Sequence, residues 1–184
     1  MNKINKDSLE TIVFGAGCFW CVEAMLNKFK AIHEIQPGYA GGHTNNPTYK
    51  EVYTDTTGHA EVVKVTFDNS RLSIEDVIRL FFLIHDPTTL NAQGDDIGTR
   101  YRSIILPANE DQKEAALSIK NEMNKAGIWD TSITTEIKML EHFYPAEVEH
   151  KNYFELHPEV AYCQAVIAPK VLKVRKEFVD YLDR

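Results

Sequence analysis

The chain has 184 residues, 43% of them apolar, which is enough for one core and too few for two ordinary domains. A net charge of −7 offers no basic field to gather nucleic acid or anionic lipid, and no apolar run approaches the roughly 18 residues of a membrane span. Three cysteines are too few for a secreted disulfide scaffold, and with a polar start lacking the apolar core of a signal peptide they point to reduced thiols in a cytoplasmic monomer.

Residues 1–10 are expected to be a flexible tail ahead of a single domain spanning 1–184. Thr11-Ile12-Val13-Phe14 predicts a short strand that Gly15 and Gly17 break. Phe19, Val22, Leu26, Phe29 and Ile32 then recur at helical spacing, which puts Cys18 at the turn-to-helix junction and Cys21 one turn further on. Residues 36–60, with Gly38-Tyr39-Ala40-Gly41-Gly42 and Asn45-Asn46-Pro47-Thr48-Tyr49, lack a period and read as a long irregular segment of the kind that builds binding sites.

Residues 61–67 alternate as a strand with Glu61, Val63, Val65 and Phe67 on one face. Ser73 and Asp76 resemble a capping box before a helix over 74–85, and 86–102 form a second polar loop. A strand over 103–106 follows, then a helix capped by Asn109 and ended by Gly127, a strand over 133–139 and a terminal amphipathic helix over 171–182. Helix and strand interleave, so the expected class is α/β (α+β), a two-layer sandwich of a mixed sheet with helices and long irregular loops.

A cysteine in the first turn of a helix meets exposed N–H groups and the positive end of the dipole, which should lower the Cys18 pKa. The bland alternative is a buried, inert thiol. Cys-x-x-Cys at a helix start is also the local signature of thiol-disulfide oxidoreductases. Zinc would need Cys163 and a histidine to complete a ligand set, and a non-enzymatic, metal-stabilised binding module is a third reading.

Glu61 separates these readings, because a carboxyl on an apolar strand face has its pKa raised by desolvation and can stay protonated as an acid. A surface ion pair at the strand end is the competing reading. Phe19 and Trp20 suit either the core or an apolar wall beside the thiol. Tyr39, Tyr49 and Tyr101 lie in or beside the two loops, where phenols either cap loops or donate to a ligand.

Several ordered motifs now combine: Gly17-Cys18-Phe19-Trp20 with Val22-Glu23, Gly38-Tyr39-Ala40-Gly41-Gly42, Asn46-Pro47-Thr48-Tyr49-Lys50-Glu51-Val52, Gly58-His59-Ala60-Glu61, His85-Asp86-Pro87, and Gln93-Gly94-Asp95-Asp96-Ile97-Gly98-Thr99-Arg100-Tyr101-Arg102-Ser103. Over residues 12–163 the chain resembles the peptide methionine sulfoxide reductases of the A type. The resemblance implies that Cys18 attacks the sulfoxide sulfur, Glu61 protonates its oxygen, Tyr49 and Tyr101 hydrogen-bond that oxygen, Phe19 and Trp20 hold the methyl group, and Asp96 helps hold the substrate. It implies the S epimer of methionine sulfoxide, free or in oxidised proteins, no bound cofactor, and recycling by an external dithiol such as thioredoxin.

Thiolate attack on a sulfoxide needs an acid and donors on its oxygen, and the sulfenic acid left on Cys18 needs a second thiol. Cys21, where the family pattern usually has glycine, and Cys163 are the two thiols on offer, alone or in relay. Arg100 stands where glutamine is more usual and changes the charge beside the pocket.

Overall fold

A computed structural model describes residues 8–183. Its elements in chain order are β1 (Leu9–Ala16), α1 (Phe19–Leu26), β2 (Ile32–Ala40), α2 (Tyr49–Tyr53), β3 (Ala60–Asp68), α3 (Ile74–Leu83) and the two-residue strands β4 (Ala92–Gln93) and β5 (Asp96–Ile97). They continue with β6 (Ser103–Leu106), α4 (Glu110–Ala126), β7 (Glu136–Ile137), β8 (Phe143–Pro145), α5 (Tyr153–Leu156), α6 (Ala168–Glu177) and α7 (Val179–Leu182). The main sheet has the order β7-β6-β1-β3-β2-β8, antiparallel except for the β6–β7 pair, while β4 and β5 form a separate small hairpin.

Alternation along the central strands makes two unequal cores. One face presents Ile12, Phe14, Val63, Val65, Phe67 and Ile105 to apolar residues from α1, α3, α4 and α6. The Phe14 ring stacks on Phe81 of α3 at 4.7 Å. The other face gathers Val13, Ala40, Ala60, Val62, Ile104 and Leu106 under Leu140 and Phe143. Glu61 keeps step with Val63 and Val65, so the register delivers it to the larger, helix-covered face opposite Tyr39.

The interleaved, mixed-sheet reading agrees with this architecture, and several boundaries do not. The first helix stops at Leu26 instead of running to Ile32, because Phe29 turns the chain and Ile32 opens β2. Residues 36–60 are not wholly irregular: β2 extends to Ala40, and Thr48 with Glu51 forms a reciprocal capping box that nucleates α2. The loop over 86–102 contains the β4–β5 hairpin and a 3-10 turn at Thr99–Tyr101. The strand expected over 133–139 pairs only at Glu136 and Ile137, on the sheet edge.

The terminal helix begins earlier, at Ala168 with Pro169 in its first turn, and breaks at Phe178 into α6 and α7. Of the expected tail, 1–7 lie outside the described residues, and Leu9 and Glu10 are already paired in β1.

Candidate active site

The junction between β1 and α1 is made by Gly17, whose φ of +89° is disfavoured for residues with a side chain. A Cβ there would also lie 2.7 Å from Gln93 Cβ, so the turn is pressed against the second loop. Gln93 is itself fixed, its amide donating to the Asp86 carbonyl and its oxygen accepting from the Asp86 N–H. Cys18 follows as the N-cap, and its carbonyl accepts from Cys21 N–H at 3.0 Å.

The free N–H at the head of α1 finds its partner on the sheet: Phe19 N–H donates to Glu61 Oε2 at 3.1 Å. Glu61 is 2% exposed, and burial pushes its pKa up to about 8 against the opposing pull of Phe19 N–H and the Arg100 guanidinium. Oε2 is occupied as an acceptor, which leaves Oε1 to carry the proton. A surface ion pair is therefore not what this carboxyl makes.

Cys18, Phe19, Trp20, Tyr49, Tyr53, Glu61, Asp96, Tyr101 and Tyr162 line one cavity of about 240 Å³. The structure thus brings together seven of the residues singled out from sequence, drawn from α1, α2, β3, β5 and the 3-10 turn. A cavity of about 300 Å³ lies beneath α6, among Met25, His85, Gln93, Trp129 and Lys170, and it holds neither Cys18 nor Glu61.

Phe19 is buried, and Trp20 is fixed from two sides: its ring stacks on Tyr153 at 3.8 Å and its Nε1–H donates to His150 Nδ1 at 3.2 Å. Tyr49 is held by its backbone, whose N–H donates to Glu147 Oε1 at 2.8 Å. Burial raises the Tyr49 phenol well above its ordinary range and pushes Tyr101 up to about 12, with the Glu61 charge adding to both. Both stay protonated donors. Arg100 lies over the rings of Tyr53 and Tyr101 at 4.3 and 4.4 Å and pairs with Asp55, so its charge is spent inside the wall of the site.

The thiols behave differently from the helix-terminus expectation. Burial pushes Cys18 up, with the hydrogen bond to Cys21 and the Glu61 charge acting in the same direction. Cys21 is lowered to about 7, first by the hydrogen bond from Cys18 and then by Lys170. Desolvation outweighs one short helix end, and the proton of the pair rests on Cys18.

Cys163 is fully buried in a π-helical turn, Cys163–Ile167. Among the described residues no three His, Cys, Asp or Glu side chains cluster closely enough to hold a metal ion.

A family model described as peptide methionine sulfoxide reductase matches residues 10–182. This chain belongs to that family. The peptide methionine sulfoxide reductase MsrA of Granulibacter bethesdensis is 58% identical over 174 residues, covering 95% of this chain and 94% of its own. The crystal structure of reduced Mxr1 from Saccharomyces cerevisiae superposes with a TM-score of 0.80 at 32% identity, covering 88% of this chain and 92% of its own. Mxr1 in complex with Trx2 gives a TM-score of 0.57 at 25% identity, over 82% of this chain and 88% of that one. The chain is accordingly an oxidoreductase, a methionine sulfoxide reductase.

In this reductase the sequence reading missed the supports and two of the cavity's phenols. Tyr53 stands one helical turn beyond Tyr49, a spacing that becomes visible once the Thr48 capping box is recognised. Tyr162, beside Cys163, donates to Asp96 Oδ2 at 2.7 Å. Glu147 and His150 come from a stretch with no periodicity, and nothing local marks them.

Proposed function

We propose that this reductase acts on the S epimer of methionine sulfoxide, free or in oxidised proteins, by direct thiol chemistry at Cys18. The observation that carries the reading is Glu61: a buried carboxyl, protonated near neutral pH, that caps the helix whose N-cap is Cys18 and lines the same cavity. A general disulfide exchanger has no use for such an acid.

The substrate methyl lies against Phe19 and Trp20, Asp96 holds the substrate's polar flank, and Tyr49 and Tyr101 donate to the sulfoxide oxygen. As Cys18 attacks sulfur its proton passes to Cys21, and Glu61 gives its own proton to the oxygen. The sulfur–oxygen bond breaks, the oxygen leaves on Cys18 as a sulfenic acid, methionine departs, and Glu61 is left as carboxylate. Two electrons have moved from the Cys18 sulfur to the substrate.

Cys21 resolves the sulfenic acid, directly or in relay with Cys163, and an external dithiol protein such as thioredoxin opens the disulfide. The complex of the related Mxr1 with Trx2 supports that last step. The cycle uses no metal or organic cofactor, and three free thiols suit the reducing cytoplasm.

Each sulfoxide epimer of a blocked methionine, assayed with dithiothreitol, tests the reading. Turnover of the S epimer is expected. Turnover confined to the R epimer, or to neither, overturns it.

A further inference from the structure

We propose that Lys170, on α6, is a positioning residue for the resolving step, its ammonium donating to the Cys21 sulfur and so selecting Cys21 over Cys163 as the thiol that attacks oxidised Cys18. The inference rests on the sulfoxide reductase reading above and adds a residue to its second half. Lys170 Nζ lies 3.6 Å from Cys21 Sγ. No carboxylate forms an ion pair with this ammonium among the described residues.

The other polar neighbour of Cys21 cannot serve as well. Tyr162 has its hydroxyl 3.7 Å from Cys21 Sγ, but it has one hydrogen, and Asp96 Oδ2 takes it at 2.7 Å. With the phenol committed, and the Cys18 hydrogen lost on oxidation, Lys170 is the donor left to Cys21. Asp96 opposes it by raising the Cys21 pKa. His85 and Asp86 line the same cavity as Lys170, together with Lys173 and Glu177 of α6. Among the described residues no cation supports Cys163: burial, Cys21 and Glu159 all raise it and hold it as a thiol.

The step balances without another reagent. Cys21 gives the proton it took from Cys18 to the Glu61 carboxylate through solvent, and its sulfur, paired with Lys170, attacks the Cys18 sulfenic sulfur. A sulfur–sulfur bond forms, the sulfur–oxygen bond breaks, and the hydroxide leaves with the Glu61 proton as water. Cys21 is oxidised and the sulfenic sulfur reduced.

The full chain is mixed with one equivalent of N-acetylmethionine S-sulfoxide without reductant, quenched with an alkylating agent at intervals from pH 6 to 9, and read by mass spectrometry for released methionine and for the bridge. In the wild type the rate of Cys18–Cys21 bridging, taken relative to methionine release, should rise with pH and level off once Cys21 is ionised. In Lys170→Met the midpoint of that ratio should move up by about one pH unit or more, so bridging slows about tenfold below the wild-type midpoint and recovers above the shifted one. Lys170→Gln should do the same and Lys170→Arg should restore the wild-type profile, each checked for native circular dichroism.

A superimposable profile in Lys170→Met, or a slowing equal at every pH, overturns the role of Lys170 while leaving the reductase intact. A Cys18–Cys163 bridge with Cys21 free overturns both the resolver and Lys170. Absence of released methionine overturns the reductase reading itself.

Discussion

At the scale of single residues the site depends on where protons sit. In the proposed mechanism Glu61 must be neutral to act, so reduction should hold below about pH 8 and fall as the pH rises through that value. Glu61→Gln should lower kcat by about 10²–10⁴-fold and abolish that limb of the pH profile, measured with the S epimer under saturating dithiothreitol. The stability sign is opposite to that of a salt-bridged acid. A folded-state pKa raised to about 8 means that the folded chain binds the extra proton, so stability declines as the pH climbs from the ordinary carboxylate range to 8. Glu61→Gln should therefore melt higher than wild type at pH 9, although it is less active. Cys18 and Glu61 were legible because one stands at a glycine-marked strand-to-helix turn and the other breaks an apolar alternation. Which thiol keeps the proton was not, since it depends on burial and on Lys170, 149 positions from Cys21.

At the scale of elements, α2 is one turn of helix that carries two phenols into the site, and its start is a local device. Thr48 Oγ1 accepts from the Glu51 N–H while Glu51 Oε2 accepts from the Thr48 N–H. Thr48→Ala should cost about 1 kcal/mol of stability in denaturant titration. Because α2 carries Tyr49, that variant should also raise KM or lower kcat, although Thr48 itself does not line the cavity. The long α4 and its Gly127 terminator match their sequence signals because caps and periodicity there are strong and local. Helical spacing overextends the first helix because Phe29 and Ile32 keep it for a different reason: one packs in the turn and the other begins a strand. Spacing alone cannot tell a continuing helix from apolar residues that reach the same core by another path.

At the scale of the whole molecule, both irregular segments converge on the β1–α1 turn, and His85 pins the two ends of the second one. Its ring hydrogen-bonds the Phe81 carbonyl and Ser103 Oγ, and burial lowers its pKa to about 4. A histidine held neutral in the fold contributes stability above its ordinary pKa and loses it as the pH falls through that range toward 4. Melting temperature should fall between about pH 6.5 and 4, and His85→Gln should flatten that limb. The sequence by itself determined the alternation of strand and helix, the Cys18 turn, the acid on an apolar face and the aromatic pair, because each is written within a few neighbouring residues. The tertiary structure alone decided that Tyr53 and Tyr162 join the cavity, that Glu147 and His150 brace its walls, and that Lys170 faces Cys21. Those partners lie on separate elements, and only the packing of helices on the sheet brings their side chains within reach.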